Sequence, residues 1–184
     1  EASRPVEVTV EYSSDGGIAM YGVQVGLRPP PADDLIDRAV NAASWADAAV
    51  VVIGTDEDWE TEGRDRTSMD LPGGQAELVR QVAAANPRTV AVVNAGSPVT
   101  MDWADEVPAV LVAWFGGQEM ADALVDVLTG ESDPSGRLPT TFPKRLEDTP
   151  AFLNYPGENG QVLYGEGVFV GYRWYDARQA PVAF

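Results

Sequence analysis

The sequence predicts an α/β fold: a mostly parallel sheet covered by helices, an α/β sandwich, with a short β segment at the N-terminus. Two observations carry this. Three short apolar runs, at 48–53, 89–93 and 109–115, are each followed by a loop and then by a helical pattern or a turn. Ahead of them Val6, Val8, Val10 and Tyr12 alternate with polar residues, which is the period of a strand.

Taken in order, residues 1–28 form the β segment. Ser13-Ser14-Asp15-Gly16-Gly17 supplies a turn, and Tyr21, Val23, Val25 and Leu27 supply one face of a second strand. Two strands alone are marginal, so the segment reads as the remnant of a larger β domain. Pro29-Pro30-Pro31 within 29–32 is a stiff linker. The α/β domain then occupies 33–184. Asp33 and Asp34 precede Leu35, Ile36, Ala39, Val40 and Ala43, apolar positions on one helical face with the acids at the favourable end. The run Val50 to Ile53 is β-branched and ends at Gly54, as expected of a central strand with both faces covered. After Pro72-Gly73-Gly74 a helix runs from Gln75 through Ala84, with Leu78, Val79 and Val82 inward, and stops at Asn86-Pro87.

The second strand, Thr89 to Val93, leads into Asn94-Ala95-Gly96-Ser97-Pro98, and a short turn surrounds Trp103. The third, Ala109 to Phe115, is followed by Gly116-Gly117 and a helix to Thr129 with Met120, Leu124, Val127 and Leu128 inward and Gly130 as its C-cap. The glycine pair either cradles an anion or, more commonly, permits a tight strand-to-helix turn. Past 130 the alternation fades: Thr140-Thr141-Phe142 is a short strand ended by Pro143, 147–167 is irregular, and 168–175 is aromatic.

Composition narrows the function. The chain has 184 residues and a formal net charge of −17, which disfavours a nucleic-acid or anionic-membrane partner. It has no histidine and no cysteine, which excludes histidine bases, thiol nucleophiles, disulfides and histidine- or thiolate-ligated metals. No metal or cofactor is expected. Lys144 is the one lysine, and no Gly-x-Gly-x-x-Gly or P-loop follows a strand, so nucleotide binding is disfavoured. Secreted and cytoplasmic bacterial locations both fit. The chain starts Glu1-Ala2-Ser3 and ends on an apolar stretch at Phe184, and reads as a piece of a longer protein.

The stretch that draws attention is the loop after the first strand. It holds Asp56, Glu57, Asp58, Glu60, Glu62 and Asp65, with Trp59 among them and Arg64 and Arg66 behind. Open α/β sheets bind ligands at the carboxyl ends of their strands. Carboxylates beside an aromatic ring and guanidinium groups suit carbohydrate chemistry, in which one acid protonates a glycosidic oxygen. On composition alone, a solvated acidic loop on an acidic protein is the competing reading.

The motifs decide between them. Trp59-Glu60-Thr61-Glu62-Gly63-Arg64-Asp65-Arg66 is followed by Met69-Asp70-Leu71-Pro72, Val93-Asn94-Ala95-Gly96-Ser97-Pro98 and Trp114-Phe115-Gly116-Gly117-Gln118-Glu119. Then come Pro134-Ser135-Gly136-Arg137-Leu138-Pro139-Thr140-Thr141-Phe142-Pro143 and Tyr164-Gly165-Glu166-Gly167-Val168-Phe169-Val170-Gly171-Tyr172-Arg173-Trp174-Tyr175. In this order they resemble the C-terminal α/β sandwich domain of glycoside hydrolase family 3, the β-glucosidase family, over about 33–184. The first 28 residues resemble, more weakly, the end of a PA14 module inserted in that domain.

The resemblance implies part of a retaining β-glucosidase that removes terminal non-reducing β-D-glucosyl residues. It implies Glu62 as the general acid/base, with Glu60 the nearest competitor, and an aspartate nucleophile in a (β/α)8 barrel that this chain lacks. Trp59, Glu60 and Arg64 are then expected to bind substrate, and Asp65 and Arg66 to support the site. The expected partners are a β-glucoside or glycosylated small molecule, the barrel-bearing part of the same enzyme and, as a further candidate, a second copy in a homo-oligomer; no nucleic-acid or membrane partner is expected. A β-xylosidase or arabinofuranosidase of the same family, and a non-catalytic carbohydrate-binding or interaction module, are the alternatives.

Overall fold

The computed structural model describes residues 7–11, 26 and 32–184. The β segment expected over 1–28 and the proline linker lie almost wholly outside these residues. The chain divides into two units, Glu1–Asp33 and Asp34–Phe184.

The second unit contains α1 (Leu35–Trp45), β1 (Ala49–Gly54), α2 (Gln75–Ala85), β2 (Thr89–Asn94), β3 (Ala109–Val112), α3 (Met120–Thr129) and α4 (Tyr172–Arg178), with 3-10 turns at Ala104–Glu106 and Leu146–Asp148. The three strands form a parallel sheet in the order β1-β2-β3. Register places Val51 beside Ala91 and Ala91 beside Val110, and likewise Ile53 beside Val93 and Val93 beside Val112. This row of alternate residues is the core face. Ala43 of α1 and Val79 and Val82 of α2 pack on it, together with Val99, Met101, Trp103 and Phe142.

The opposite face corrects the expectation for the first strand. Val50 and Val52 are 50% and 61% exposed, so one face of β1 is open among the described residues, where β1 also lies at the edge of the sheet, although every residue from Val50 to Ile53 is apolar. Periodicity cannot separate a strand buried on both faces from an apolar strand with one face open. β2, flanked on both sides, is the central strand, and its Val92 is fully buried.

Polar side chains close the joints between elements. Asn86, itself buried, donates from Nδ2 to the carbonyls of Ala43 (2.9 Å) and Ala46 (3.0 Å) at the end of α1, and accepts from the Arg88 amide (2.8 Å). One side chain thus takes two of the carbonyls at the end of α1 and turns the chain out of α2. Gln75, the first residue of α2, grips the end of β1: its Oε1 accepts from the Gly54 amide (2.7 Å), and its Nε2 donates to the Gly54 carbonyl (2.9 Å). Gly54 has no substitute there, because a Cβ would lie 1.8 Å from the Asn94 carbonyl oxygen.

Four further expectations change. β3 stops at Val112, and Trp114 then takes a positive φ of 56°, a conformation that bulky residues rarely adopt and that reverses the chain towards the glycine pair. Gly116 permits close packing there, since a Cβ would meet Met120 at 2.5 Å. α3 has no fully buried residue: Met120, Leu124 and Val127 are half-buried and Leu128 is exposed. Residues Thr140–Phe142 form no strand. A single antiparallel bridge joins Pro143 to Val182, the Phe142 amide donates to the Phe184 carbonyl (3.1 Å), and the two rings meet edge to face at 6.3 Å. The aromatic stretch, given no element from the sequence, contributes Tyr172–Tyr175 to α4, with Tyr175 buried.

Candidate active site

The acidic loop leaves β1 at the carboxyl edge of the sheet, where the Thr55 amide still pairs with the Asn94 carbonyl (3.1 Å). A helical turn comes next. The amides of Trp59 and Glu60 both donate to the Asp56 carbonyl (3.0 and 2.8 Å), and Asp56 Oδ1 takes the Asp58 amide (3.1 Å). Asp56 therefore works as an Asx-type turn former, which is why an acid stands there.

This turn delivers Glu60 to the β2 loop. Oε1 of Glu60 accepts from the Thr55 hydroxyl (2.5 Å) and the Gly96 amide (3.0 Å), and Oε2 accepts from the Ser97 hydroxyl (3.0 Å). Arg66 Nη1 stands 3.6 Å from Oε1. Burial pushes the Glu60 carboxyl up, but the hydrogen bonds from Thr55, Ser97 and Gly96 and the Arg66 charge outweigh it and hold the group below its ordinary value. Gly96 makes room, since a Cβ would lie 2.7 Å from Glu60 Oε2. Arg66 completes the clamp, donating from Nη1 to the Ser97 hydroxyl (2.7 Å), from Nη2 to the Pro98 carbonyl (2.9 Å) and from Nε to the Ser68 carbonyl (3.0 Å). A guanidinium with its fixed fork suits this task and an ammonium does not.

Between these anchors the chain makes a four-residue reversal. Thr61 pairs with Arg64 in an antiparallel bridge, and Gly63 has a φ of 83°. A positive φ at the third position of such a turn is why glycine stands there. Glu62 is the residue before it, at the tip. It is exposed, and among the described residues its carboxylate has no hydrogen-bond or ion-pair partner. Arg64 turns back, its Nη2 donating to the Asp58 carbonyl. Asp65 accepts from the Tyr155 hydroxyl at Oδ2 (2.6 Å), so it pairs with neither Arg66 nor a backbone turn. Trp59 is half-buried, with its indole N–H buried and without a partner. Beyond the turn, Asp70 takes the Thr100 hydroxyl (2.6 Å), and the Thr100 amide donates to the Met69 carbonyl (2.9 Å).

The residues singled out from the sequence therefore lie on one loop but in different circumstances. Glu60 and Arg66 face the protein and hold the loop. Glu62 is exposed, with its carboxylate unengaged among the described residues. Trp59 is between the two. Sequence reasoning did not find Thr55, Ser97 and Tyr155 as partners of this loop. Ser97 belongs to the motif Val93–Pro98 and had that signal, whereas Tyr155 had none. The loop is dense in carboxylates, yet among the described residues no three acids converge as a cation site requires. Among the same residues no helix is long and apolar enough to cross a membrane.

A parallel sheet packed with helices, carrying an anchored acidic loop at its carboxyl edge, defines an α/β-sandwich domain of the kind found within larger enzymes. The chain belongs to the glycosyl hydrolase family 3 C-terminal domain family, whose description matches residues 4–172. It is 49% identical over 152 residues to a probable β-glucosidase I of Emericella nidulans, covering 83% of this chain and 18% of that one. It is 48% identical over 159 residues to a probable β-glucosidase J of Aspergillus fumigatus, covering 86% and 18%. Among solved structures, a Kluyveromyces marxianus β-glucosidase in complex with glucose superposes with a TM-score of 0.81 at 46% identity, over 86% of this chain and 19% of that one. A β-glucosidase of Streptomyces venezuelae in complex with D-glucose does so with a TM-score of 0.77 at 41% identity, over 83% and 20%. The chain thus spans about a fifth of the length of the relatives it matches.

Proposed function

We propose that this chain is the acid/base-bearing part of a retaining β-glucosidase that hydrolyses terminal non-reducing β-D-glucosyl residues of a β-glucoside or a glycosylated small molecule. The observation that carries the reading is the contrast between two acids on one loop. Glu60 is consumed by four partners, and Glu62, two residues on, is presented at the tip of a tight turn with none among the described residues. A general acid/base needs a carboxyl group that is held in place through its backbone and unengaged at its oxygens. Relatives at 45–51% identity carry the name β-glucosidase, which supports the glucosyl reading over xyloside or arabinoside cleavage.

In the proposed cycle Glu62 protonates the glycosidic oxygen as the bond to the aglycone breaks. It later takes a proton from the water that releases the sugar from the enzyme. A retaining mechanism needs a second carboxyl group about 5–5.5 Å from the first, acting as nucleophile. Residues outside this chain, in the barrel of the same enzyme, would supply it. The exposed apolar side chains around 153–170 support such a partner: Leu153, Tyr164 and Val168 are 89%, 84% and 74% exposed. Trp59 and Arg64 would flank the leaving group, while Asp65 and Arg66 hold the turn. The same reading assigns residues 1–28 to the tail of a PA14-like module, 29–32 to a linker and 33–184 to the α/β domain. The division of the chain at Asp33 supports that boundary.

The test is Glu62→Ala in the full-length enzyme. Glucosides with a dinitrophenolate leaving group, which needs no proton, should keep most of their glycosylation rate, while alkyl glucosides lose it. Azide should restore turnover and yield a β-glucosyl azide. Wild-type behaviour on every substrate would sink the assignment. A panel of nitrophenyl glycosides tests the sugar, and preference for the xyloside or arabinoside would overturn that part.

A further inference from the structure

We infer that Tyr155 is a positioning residue for the Glu62 turn, acting as a strut through Asp65; the inference rests on the acid/base reading of Glu62. The turn has two ends. Its leading end is fastened by Glu60 to Thr55, Gly96 and Ser97. Its trailing end is Asp65, and the one side-chain hydrogen bond on that carboxylate among the described residues comes from the Tyr155 hydroxyl, 2.6 Å away and 90 residues along the chain. Arg66, next to Asp65, is directed the other way, into Ser68, Ser97 and Pro98. Without the Tyr155 contact, Thr61 to Asp65 would hang between Glu60 and Arg66, shaped among the described residues by the Thr61–Arg64 bridge and the Arg64 bond to the Asp58 carbonyl, with nothing holding the Asp65 side chain.

Tyr155 is suited to bear this load. The amides of Asn154 and Tyr155 both donate to the Ala151 carbonyl (2.8 and 2.9 Å), so its backbone sits in a closed turn. Gly165 packs against the preceding side chain, where a Cβ would meet Asn154 Nδ2 at 2.9 Å. The hydrogen bond to Asp65, then burial and the carboxylate charge, raises the phenol above its ordinary value, so the hydroxyl remains the donor at working pH. A charge-assisted O–H to carboxylate bond is short and directional, and fixes the Asp65 side chain better than solvent does. Small displacements of a catalytic group are costly, so a strut three residues from the acid has leverage.

The experiment compares Tyr155→Phe, Asp65→Ala and the double variant in the full-length enzyme, with E62Q in parallel. Each is assayed on a dinitrophenyl glucoside and an alkyl glucoside. Amide exchange is followed by mass spectrometry in the peptide spanning 56–70. A strut predicts that Tyr155→Phe slows the alkyl glucoside by on the order of tenfold or more while sparing the dinitrophenyl substrate. Asp65→Ala should match it, the double variant should be no worse than either single, and exchange at 61–65 should quicken. Equal rates, equal losses on both substrates, or losses that multiply in the double variant would overturn the strut. If E62Q itself shows no dependence on leaving group, the acid/base reading fails instead. The strut is then judged on exchange alone, and unchanged protection in Tyr155→Phe overturns it.

Discussion

Glu60 and Arg66 stand 3.6 Å apart across the acidic loop, and the Ser97 hydroxyl bonds to both, at 3.0 and 2.7 Å. This triangle ties the loop after β1 to the loop after β2. Glu60, expected to bind substrate, joins Arg66, expected to support the site, as the base on which the Glu62 turn stands. The side chains of Glu60 and Arg66 are only 16% and 15% exposed, so this pair is not a screened surface contact.

Replacing Arg66 by Lys keeps the charge and removes the fork to Ser68, Ser97 and Pro98. The expected outcome is a fall in kcat/KM of about tenfold or more with little change in substrate binding by Trp59, since hydrogen bonds to charged groups are each worth about 1.5–3 kcal/mol. Steady-state kinetics of R66K in the full-length enzyme check this, and unchanged kinetics would leave the pair a passive one.

Acid should loosen the loop through Glu60. Its folded pKa lies below the ordinary 4.5, so the unfolded state binds more protons as pH falls. The stabilisation is fully present above about 4.5 and is lost as pH drops through the depressed folded value. Asp70, held down by the Thr100 and Ser68 hydroxyls, adds in the same direction below its ordinary 3.8. Unfolding midpoints measured from pH 6 to about pH 3 should decline more steeply in wild type than in Glu60→Gln; parallel curves would contradict the shift.

Gly63 tests the turn. Its φ of 83° penalises an L side chain, although nothing lies within 4 Å of a Cβ there. Gly63→Ala should cost about 1 kcal/mol or more from strain alone, and Gly63→Asn less, because asparagine tolerates the left-handed region. Thermal unfolding reads the cost. Activity on alkyl glucosides should follow the same ranking, and equal effects of Ala and Asn would argue for a side-chain clash instead.

Trp59 separates packing from substrate contact. Trp59→Phe keeps a ring and removes the unpartnered buried N–H, so stability should hold. Trp59→Ala should raise KM for bulky aglycones more than for small ones if the open part of the ring forms a platform. A uniform rise across aglycones would place the residue among the packing groups.

The reach of sequence reasoning tracks the range of the interactions. α1, β1, α2, β2 and the Gly130 cap were legible because each is dictated by neighbours within a few residues: apolar spacing, β-branching, a glycine with φ of 82°. The motif around Glu62 was legible because residues 59–66 make their own turn. α4 was not, because its aromatic residues and the flanking Gly171 carry no clear helical spacing, and Tyr175 is the residue of the helix that is buried. The pairing of Phe142 with Phe184 was not legible either, since an isolated bridge leaves no periodic pattern.

By itself the sequence determined the α/β architecture, the acidic loop at the end of the first strand and the glycine that lets Glu62 sit at a turn. Tertiary structure alone decided which face of β1 is covered, because an all-apolar run carries no record of where helices will lie. It decided as well that Glu60 and not Glu62 is engaged, because that choice depends on Ser97, Gly96 and Arg66 converging from separate loops. The Tyr155–Asp65 contact belongs with these: a hydrogen bond across 90 residues depends on the path of the whole chain, and no local preference of either residue encodes it.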